Sequence, residues 1–248
     1  MNLVIVYGIC LFVGFLTGGT GMGGVLIPPA LVFLSGLDTH TAMGTTLASF
    51  AFYTPVGCWL FHRLGHINWR RAVPFALGGA LSAGLTALFN VHVHATFLNV
   101  LLALLVLFAA VSAFRPPRAR NAAPSRWFRW PGLLFIGAST GMMAGLTGTG
   151  GPLLSIAWMV AAGMPPPAAV GLSMPYSLAT VITATASNWV NGTLDVPMAV
   201  HVGLLELGGF LLGIIMISRI PMGWVRRGMA VTCGGLGLFL LVRSLWPG

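Results

Sequence analysis

The sequence predicts an all-α polytopic membrane protein. It would have about eight to ten membrane segments in two inverted repeats, each with a glycine-rich broken or re-entrant helix pair. Three observations carry that prediction. The chain is 57% hydrophobic and only 6% charged. A glycine-rich stretch, GGTGMGGVLIPP from Gly18 to Pro29, recurs as GLTGTGGPLLS from Gly145 to Ser155. The arginines gather in a few polar connections between apolar segments.

Composition sets the class. A soluble domain carries roughly 25% charged residues. With 6% here and a mean hydropathy of +0.93, the polar groups cannot cover a water-facing surface. The solvent is then lipid, and no separate soluble domain fits. All 12 basic residues are arginine and the formal charge is +9. On a soluble chain that balance would point to nucleic acid. Here the arginines flank apolar segments, so they read as topology signals and lipid-headgroup contacts, with no nucleic-acid partner. Cys10, Cys58 and Cys233 are scattered through apolar segments without metal or redox spacing and read as packing residues. Cys58 has a second reading as a reactive thiol beside a transport path. Residues 2–16 lack a basic start and an Ala-x-Ala site, so they read as part of the mature protein.

Ten apolar segments follow, at about 2–17, 23–35, 41–61, 72–90, 95–114, 131–146, 151–163, 168–187, 197–217 and 227–246. Most are long enough to cross. Segments 23–35 and 151–163 are short, which suits a half-helix or a re-entrant turn. The polar stretch RPPRARNAAPSRWFRW, Arg115 to Trp130, divides the chain. Residues 1–114 form the first repeat, 115–130 a basic cytoplasmic linker, and 131–248 the second repeat.

The halves align without a gap at an offset of 127 residues. Gly14 meets Gly141, Gly18 meets Gly145, Thr20-Gly21 meets Thr147-Gly148, and Gly23-Gly24 meets Gly150-Gly151. Gly36, Gly44 and Gly65 meet Gly163, Gly171 and Gly192. Apolar matches are cheap in such a chain, but glycines in register over this distance mark a duplication.

Five segments per half is an odd number, so the second copy enters the membrane upside down. The arginines test this separately. With Arg115–Arg129 in the cytoplasm, alternation places Arg63, Arg70, Arg71, Arg219, Arg226 and Arg227 there too. Arg243 alone falls on the far side. Both termini are then expected outside.

Inverted repeats with paired interrupted helices are a transporter architecture, with the site where half-helix ends meet near the midplane. Irregular backbone at that depth must be buried or line a wet cavity. Thr20, Gly21, Gly23 and Gly24, with Thr147, Gly148, Thr149, Gly150 and Gly151, are therefore the expected substrate-binding residues. Glycines free backbone N–H groups, threonines add hydroxyls, and a helix restarts at about Val25 and Pro152, where a positive dipole end suits an anion. Gly14/Gly18 and Gly141/Gly145 read instead as close-packing positions. Thr45, Thr46 and Ser173 open the next helix of each repeat. Their hydroxyls either complete an oxyanion cage or bond within their own helices.

Glu206 is a carboxyl at membrane depth. It is a candidate for the coupling ion, with a neutral carboxyl bonded across helices as the structural alternative. His92 and His94 lack a third metal ligand nearby, so no metal site is expected, and no cofactor motif appears. Asp38 and Asp195 fall on expected outer loops. Tyr53, Trp59, Tyr176 and Trp189 read as belt or core aromatics. No nucleophile–base pair points to an enzyme.

The two stretches GGTGMGGVLIPPALVFLSGLDTHTAMGTTLAS and AGLTGTGGPLLSIAWMVAAGMPPPAAVGLS resemble the duplicated signature of the TauE/SafE sulfite exporter family of membrane transporters. The resemblance covers nearly the whole chain. It implies transport of a small sulfur-containing anion or organic acid, such as sulfite, thiosulfate or sulfoacetate, across a bacterial inner membrane. It implies ion coupling as well, by proton or sodium. Import and export both remain open, and no oligomeric state is implied. An anion channel of the same fold is the alternative mechanism, and a membrane-embedded enzyme or assembly factor the alternative class. The half-sites are unequal: Met22 faces Thr149, Val25 faces Pro152 and Pro28 faces Ser155.

Overall fold

The structure, a computed structural model, describes residues 3–21, 23–114, 126–150, 152–216, 231, 233–239 and 241–242. Its described residues are helical throughout, without a strand. The first half holds α1 (Leu3–Thr20), α2 (Gly24–Ser35), α3 (Thr39–Ser49), α4 (Tyr53–Arg63), α5 (Trp69–Phe89) and α6 (Ala95–Phe114). The second holds α7 (Trp130–Thr147), α8 (Pro152–Ala161), α9 (Pro166–Val190) and α10 (Val196–Met216), followed by helical residues 233–239. Large apolar side chains such as Leu81, Leu85, Ile182 and Ile215 lie exposed on the outside, as a lipid solvent requires. By length and composition, α5 with its short extension to His92, α9 and α10 are long enough to cross a bilayer.

Both glycine stretches interrupt helices. α1 stops at Thr20 and Gly21 follows with φ of 74°; α7 stops at Thr147 and Gly148 follows with φ of 71°. The left-handed turn requires glycine, because a Cβ clashes with the following carbonyl. The helices after the breaks are short. α2 is composite: 3-10 over Gly24–Leu26, α over Ile27–Ala30, π over Leu31–Ser35. Pro28 and Pro29 occupy its first α turn, where their missing N–H groups cost little. α8 is ten residues long and opens on Pro152.

One expected segment, 41–61, is divided. α3 ends at Ser49 and α4 begins at Tyr53. The turn between them is tightened by Ala51 N–H donating to Ala48 O (3.1 Å) and Phe52 N–H to Ser49 O (3.2 Å). Pro55 favours the division without forcing it, since α5 and α9 run unbroken through Pro74 and Pro175. In a continuous helix its ring would press on the carbonyl of residue 51, whereas in the first turn of α4 it is harmless. The matching position in α9 is Ile182, and α9 runs unbroken through 25 residues.

Helix contacts recur at the same 127-residue offset. α1 lies along α10, and α7 lies along α5. A Cβ on Gly14 would collide with the Glu206 carbonyl, and one on Gly18 with that of Phe210. At the 127-residue offset, Gly141 meets Gly79 and Gly145 meets Ala83 in the same way. Gly44 packs on the Thr193 carbonyl, and Gly171 on that of His66. Each half thus makes to the other, at matching positions, the contacts it receives. In lipid, where apolar contact with the solvent is free, close backbone approach through glycine drives helix pairing.

Asp38 caps α3, its carboxylate accepting from the Thr41 N–H at 3.0 Å. Partial burial works to raise its pKa, but the hydrogen bonds from Thr41 outweigh it and hold the carboxyl below its usual range. The capping contribution is therefore present above pH about 4 and is lost as pH falls through the lowered pKa. Asp38→Ala is expected to cost about 1 kcal/mol of stability at neutral pH. Thermal unfolding should show that deficit shrinking in acid.

Candidate functional site

The ends of the two breaks meet in one narrow cleft, with about 10 Å³ open to the centre of a water-sized sphere. Thr17, Gly21, Gly23, Gly24 and Val25 line it from the first repeat, with Tyr53 from α4. Thr149, Pro152 and Leu153 line it from the second. Phe50, just after α3, closes one side. Its ring lies so close that a Cβ on Gly24 or on Gly150 would stand 2.5 Å from one of its carbons. Both breaks are thus held against a single aromatic ring that is 1% exposed.

The breaks leave backbone donors at the cleft. The N–H groups of Gly23, Gly24 and Val25, and those of Thr149 and Gly150, make no backbone hydrogen bond to a described residue. They belong to the first turns of restarting helices and to the turns before them, where intrahelical partners are absent. The Tyr53 hydroxyl likewise has no hydrogen-bond partner among the described residues. Thr17 donates to Val13 O at 2.8 Å, so its hydroxyl, which lies against Gly23, offers only lone pairs. Thr147 donates to Met143 O at 2.6 Å, so the 3.0 Å contact between Thr147 and Thr149 is closed by the Thr149 proton. Unpaired N–H groups, two helix starts and a phenol suit an anion. No arginine lines the cleft.

The expected binding residues are distributed as follows. Gly21, Gly23, Gly24 and Thr149 line the cleft, with Gly150 beside them on Phe50. Gly148 forms the turn that delivers Thr149, and its α-carbon face packs on Met43. Gly151 lies outside the described residues. Thr20 donates to Leu16 O at 2.7 Å and does not line the cleft. Thr45 accepts the Asp195 N–H at 3.0 Å, Thr46 donates to Ala42 O at 2.7 Å, and Ser173 donates to Val170 O at 2.7 Å. These three hydroxyls serve helix and loop contacts away from the lining. Sequence reasoning missed Thr17 as a lining residue and treated Tyr53 as a belt or core aromatic. A signal for Tyr53 was available in Pro55, which favours a helix start just before it.

Glu206 is completely buried on α10. Ser49 Oγ lies 2.6 Å from Glu206 Oε2 and 2.8 Å from Thr46 O. A hydroxyl has one proton to give. When Ser49 gives it to Thr46 O, the second contact closes only if Glu206 carries a proton and donates it to Ser49. The other oxygen, Oε1, has no partner among the described residues. Glu206 is also close to the cleft. One turn further along α10, the Phe210 ring packs on Tyr53 with centroids 5.2 Å apart. Tyr53 in turn packs on Phe50 at 5.5 Å. Ser49, Phe50 and Tyr53 all flank the turn between α3 and α4, so one irregular turn joins the carboxyl to the cleft. Among the described residues, no three His, Cys, Asp or Glu side chains gather as a metal site would need.

Comparison with known proteins agrees with this architecture. The sequence profile of the family described as sulfite exporter TauE/SafE matches residues 6–240. The chain is 28% identical over 217 residues to the probable membrane transporter protein YjnA of Bacillus subtilis, covering 82% of this chain and 85% of the relative. It is 28% identical over 232 residues to a probable membrane transporter protein of Xylella fastidiosa, strain Temecula1, covering 88% and 86%. It is 23% identical over 237 residues to the probable membrane transporter protein YdhB of Bacillus subtilis, covering 92% and 96%. No solved structure matches the chain significantly.

Proposed function

This chain belongs to the sulfite exporter TauE/SafE family of multi-pass membrane transporters, and on that premise we propose that it moves a small anion by proton-coupled secondary transport. The observation that carries the reading is the cleft, where unpaired backbone N–H groups from both repeats converge without a fixed positive side chain. A hydrogen bond to a charged partner contributes roughly 1.5–3 kcal/mol. A few such bonds hold a sulfur oxyanion or organosulfonate firmly enough to select it and loosely enough to release it. An arginine in the same place would add a full charge and slow release.

Coupling follows from Glu206. An ionised carboxylate beside the cleft repels an anion strongly in a low-dielectric interior, and a protonated one does not. Proton and anion would then load together, the proton on Glu206 and the anion between the breaks. Alternating access would rock one repeat against the other around that site. We place the protein in the bacterial inner membrane with the arginine-rich connections inside and both termini outside.

The test is uptake of radiolabelled sulfite, thiosulfate and sulfoacetate into proteoliposomes under an imposed pH gradient. Uptake of at least one anion that rises with the gradient is expected. Flux set by voltage alone would make the protein a channel, and no flux of any of the three would remove sulfur anions from the reading. Orientation has its own test. In a Cys58→Ser background, Arg120→Cys should label from the cytoplasmic side and Leu194→Cys from the outside. Labelling of both from one face would contradict the inversion.

A further inference from the structure

The two repeats differ at one pair of matching positions, and the difference leaves a groove. Beside α10, the Phe52 ring presses on Gly203 so closely that a Cβ there would collide with it. At the 127-residue offset the corresponding residues are Ala179 on α9 and Ala76 on α5. A methyl group stands where the other repeat has a ring. The space that Phe52 fills on one side is open on the other, as a groove between α4, α5 and α9 with about 260 Å³ open to the centre of a water-sized sphere. Cys58, Trp69, Ala76, Pro175, Ala179 and Ile182 are among the residues that line it. Its wall is apolar, and Trp69 and Ile182 are exposed on the outer surface, where lipid is the solvent.

The chain around Trp69 is basic. Trp69 Nε1 donates to His62 Nδ1 at 3.1 Å, which ties the start of α5 to the end of α4. Arg63 and Arg70 are the next residues along and are both exposed. The Arg63 guanidinium sits over the Trp59 ring, 4.5 Å from its centroid. The chain has only three carboxylate side chains, and all are engaged elsewhere: Asp38 with Thr41, Asp195 with Met198 and Glu206 with Ser49. The two arginines therefore have no carboxylate side chain within the protein to neutralise them.

We propose that the groove between α4, α5 and α9 holds an acyl chain of an anionic phospholipid whose phosphate is bound by Arg63 and Arg70. An acyl chain meets the apolar wall at no polar cost, and a phosphate supplies the missing counter-charge. A second copy of the chain fits less well, because it brings a formal charge of +9 to an already basic surface. The exposed Trp69 marks the headgroup level at which such a lipid would sit.

Native mass spectrometry of the purified full-length protein tests this, with phosphatidylglycerol and phosphatidylcholine of identical acyl chains as probes. Wild type should retain phosphatidylglycerol at least tenfold better. Ala179→Phe, which fills the groove as Phe52 fills its counterpart, should lower that retention at least tenfold. Arg63→Gln with Arg70→Gln should bring phosphatidylglycerol down to the level of phosphatidylcholine. A measurement on wild type guards against a misfolded variant. Cys10 and Cys233 are buried, so a maleimide reports on the partly exposed Cys58. Phosphatidylglycerol should slow its labelling at least tenfold, and phosphatidylcholine should not. Equal retention of the two lipids by wild type, unchanged retention in Ala179→Phe, or Cys58 labelling indifferent to phosphatidylglycerol would each overturn the proposal. So would a lipid-independent dimer that Ala179→Phe dissociates, since the groove would then be a contact between copies.

Discussion

Gly24→Leu is expected to lower anion affinity by more than a hundredfold. The added side chain has two places to go, and both destroy the site. It either occupies the cleft or displaces the Phe50 ring, which a Cβ on Gly24 already approaches to 2.5 Å. Gly24 also contributes one of the unpaired N–H groups, and its neighbours Gly23 and Val25 contribute two more. Losing even two hydrogen bonds to a charged ligand, at roughly 1.5–3 kcal/mol each, removes at least about 3 kcal/mol, a factor above one hundred. Gly8→Leu is the matched control. Gly8 sits on the exposed face of α1, where an added Cβ would meet nothing within 4 Å, so affinity there should not change. Calorimetry on monodisperse protein reads both. Wild-type affinity in Gly24→Leu would mean that the breaks serve packing alone.

Glu206→Gln should abolish the response of uptake to a pH gradient, lowering gradient-driven flux at least tenfold, while the protein stays folded. The amide fits the arrangement a protonated carboxyl makes: its N–H₂ donates to Ser49 Oγ while Ser49 donates to Thr46 O. Packing against Gly14 involves the Glu206 main chain and is untouched. What disappears is the ability to lose a proton, and with it the repulsion that links proton to anion. The same flux and the same pH profile as wild type would assign Glu206 a structural role.

Much of this arrangement was legible in the sequence because glycine is a backbone signal. Gly21 and Gly148 mark left-handed turns that no side chain tolerates well, and their 127-residue offset is the signal from which the duplication is read. Pro152 announced the restart of α8. Side-chain hydroxyls were less legible. Thr45, Thr46 and Ser173 sit where an oxyanion cage would be sought, but each had a backbone group within reach, and a nearby carbonyl or N–H competes well with a distant ligand. The division at Phe50–Phe52 was hidden for another reason. Residues 41–61 carry no charge, so hydropathy runs straight through the turn before α4. That turn brings Ser49, Phe50 and Tyr53 together, and with them the link between Glu206 and the cleft. Glu206 itself stood out, because a carboxyl at membrane depth is rare. Its partner did not, because Ser49 lies 157 residues away in sequence.

Hydrogen–deuterium exchange of the wild-type protein tests most directly whether the two breaks form one anion site. The unpaired N–H groups of Gly23, Gly24 and Val25 and of Thr149 and Gly150 exchange freely when the cleft is empty and are covered when an anion binds. With the anion transported best among sulfite, thiosulfate and sulfoacetate, peptides spanning 17–26 and 145–155 should both become protected. They should do so at the same half-saturating concentration, since one ligand covers both. Protection of only one peptide, of neither, or of the two at different concentrations would contradict a shared site.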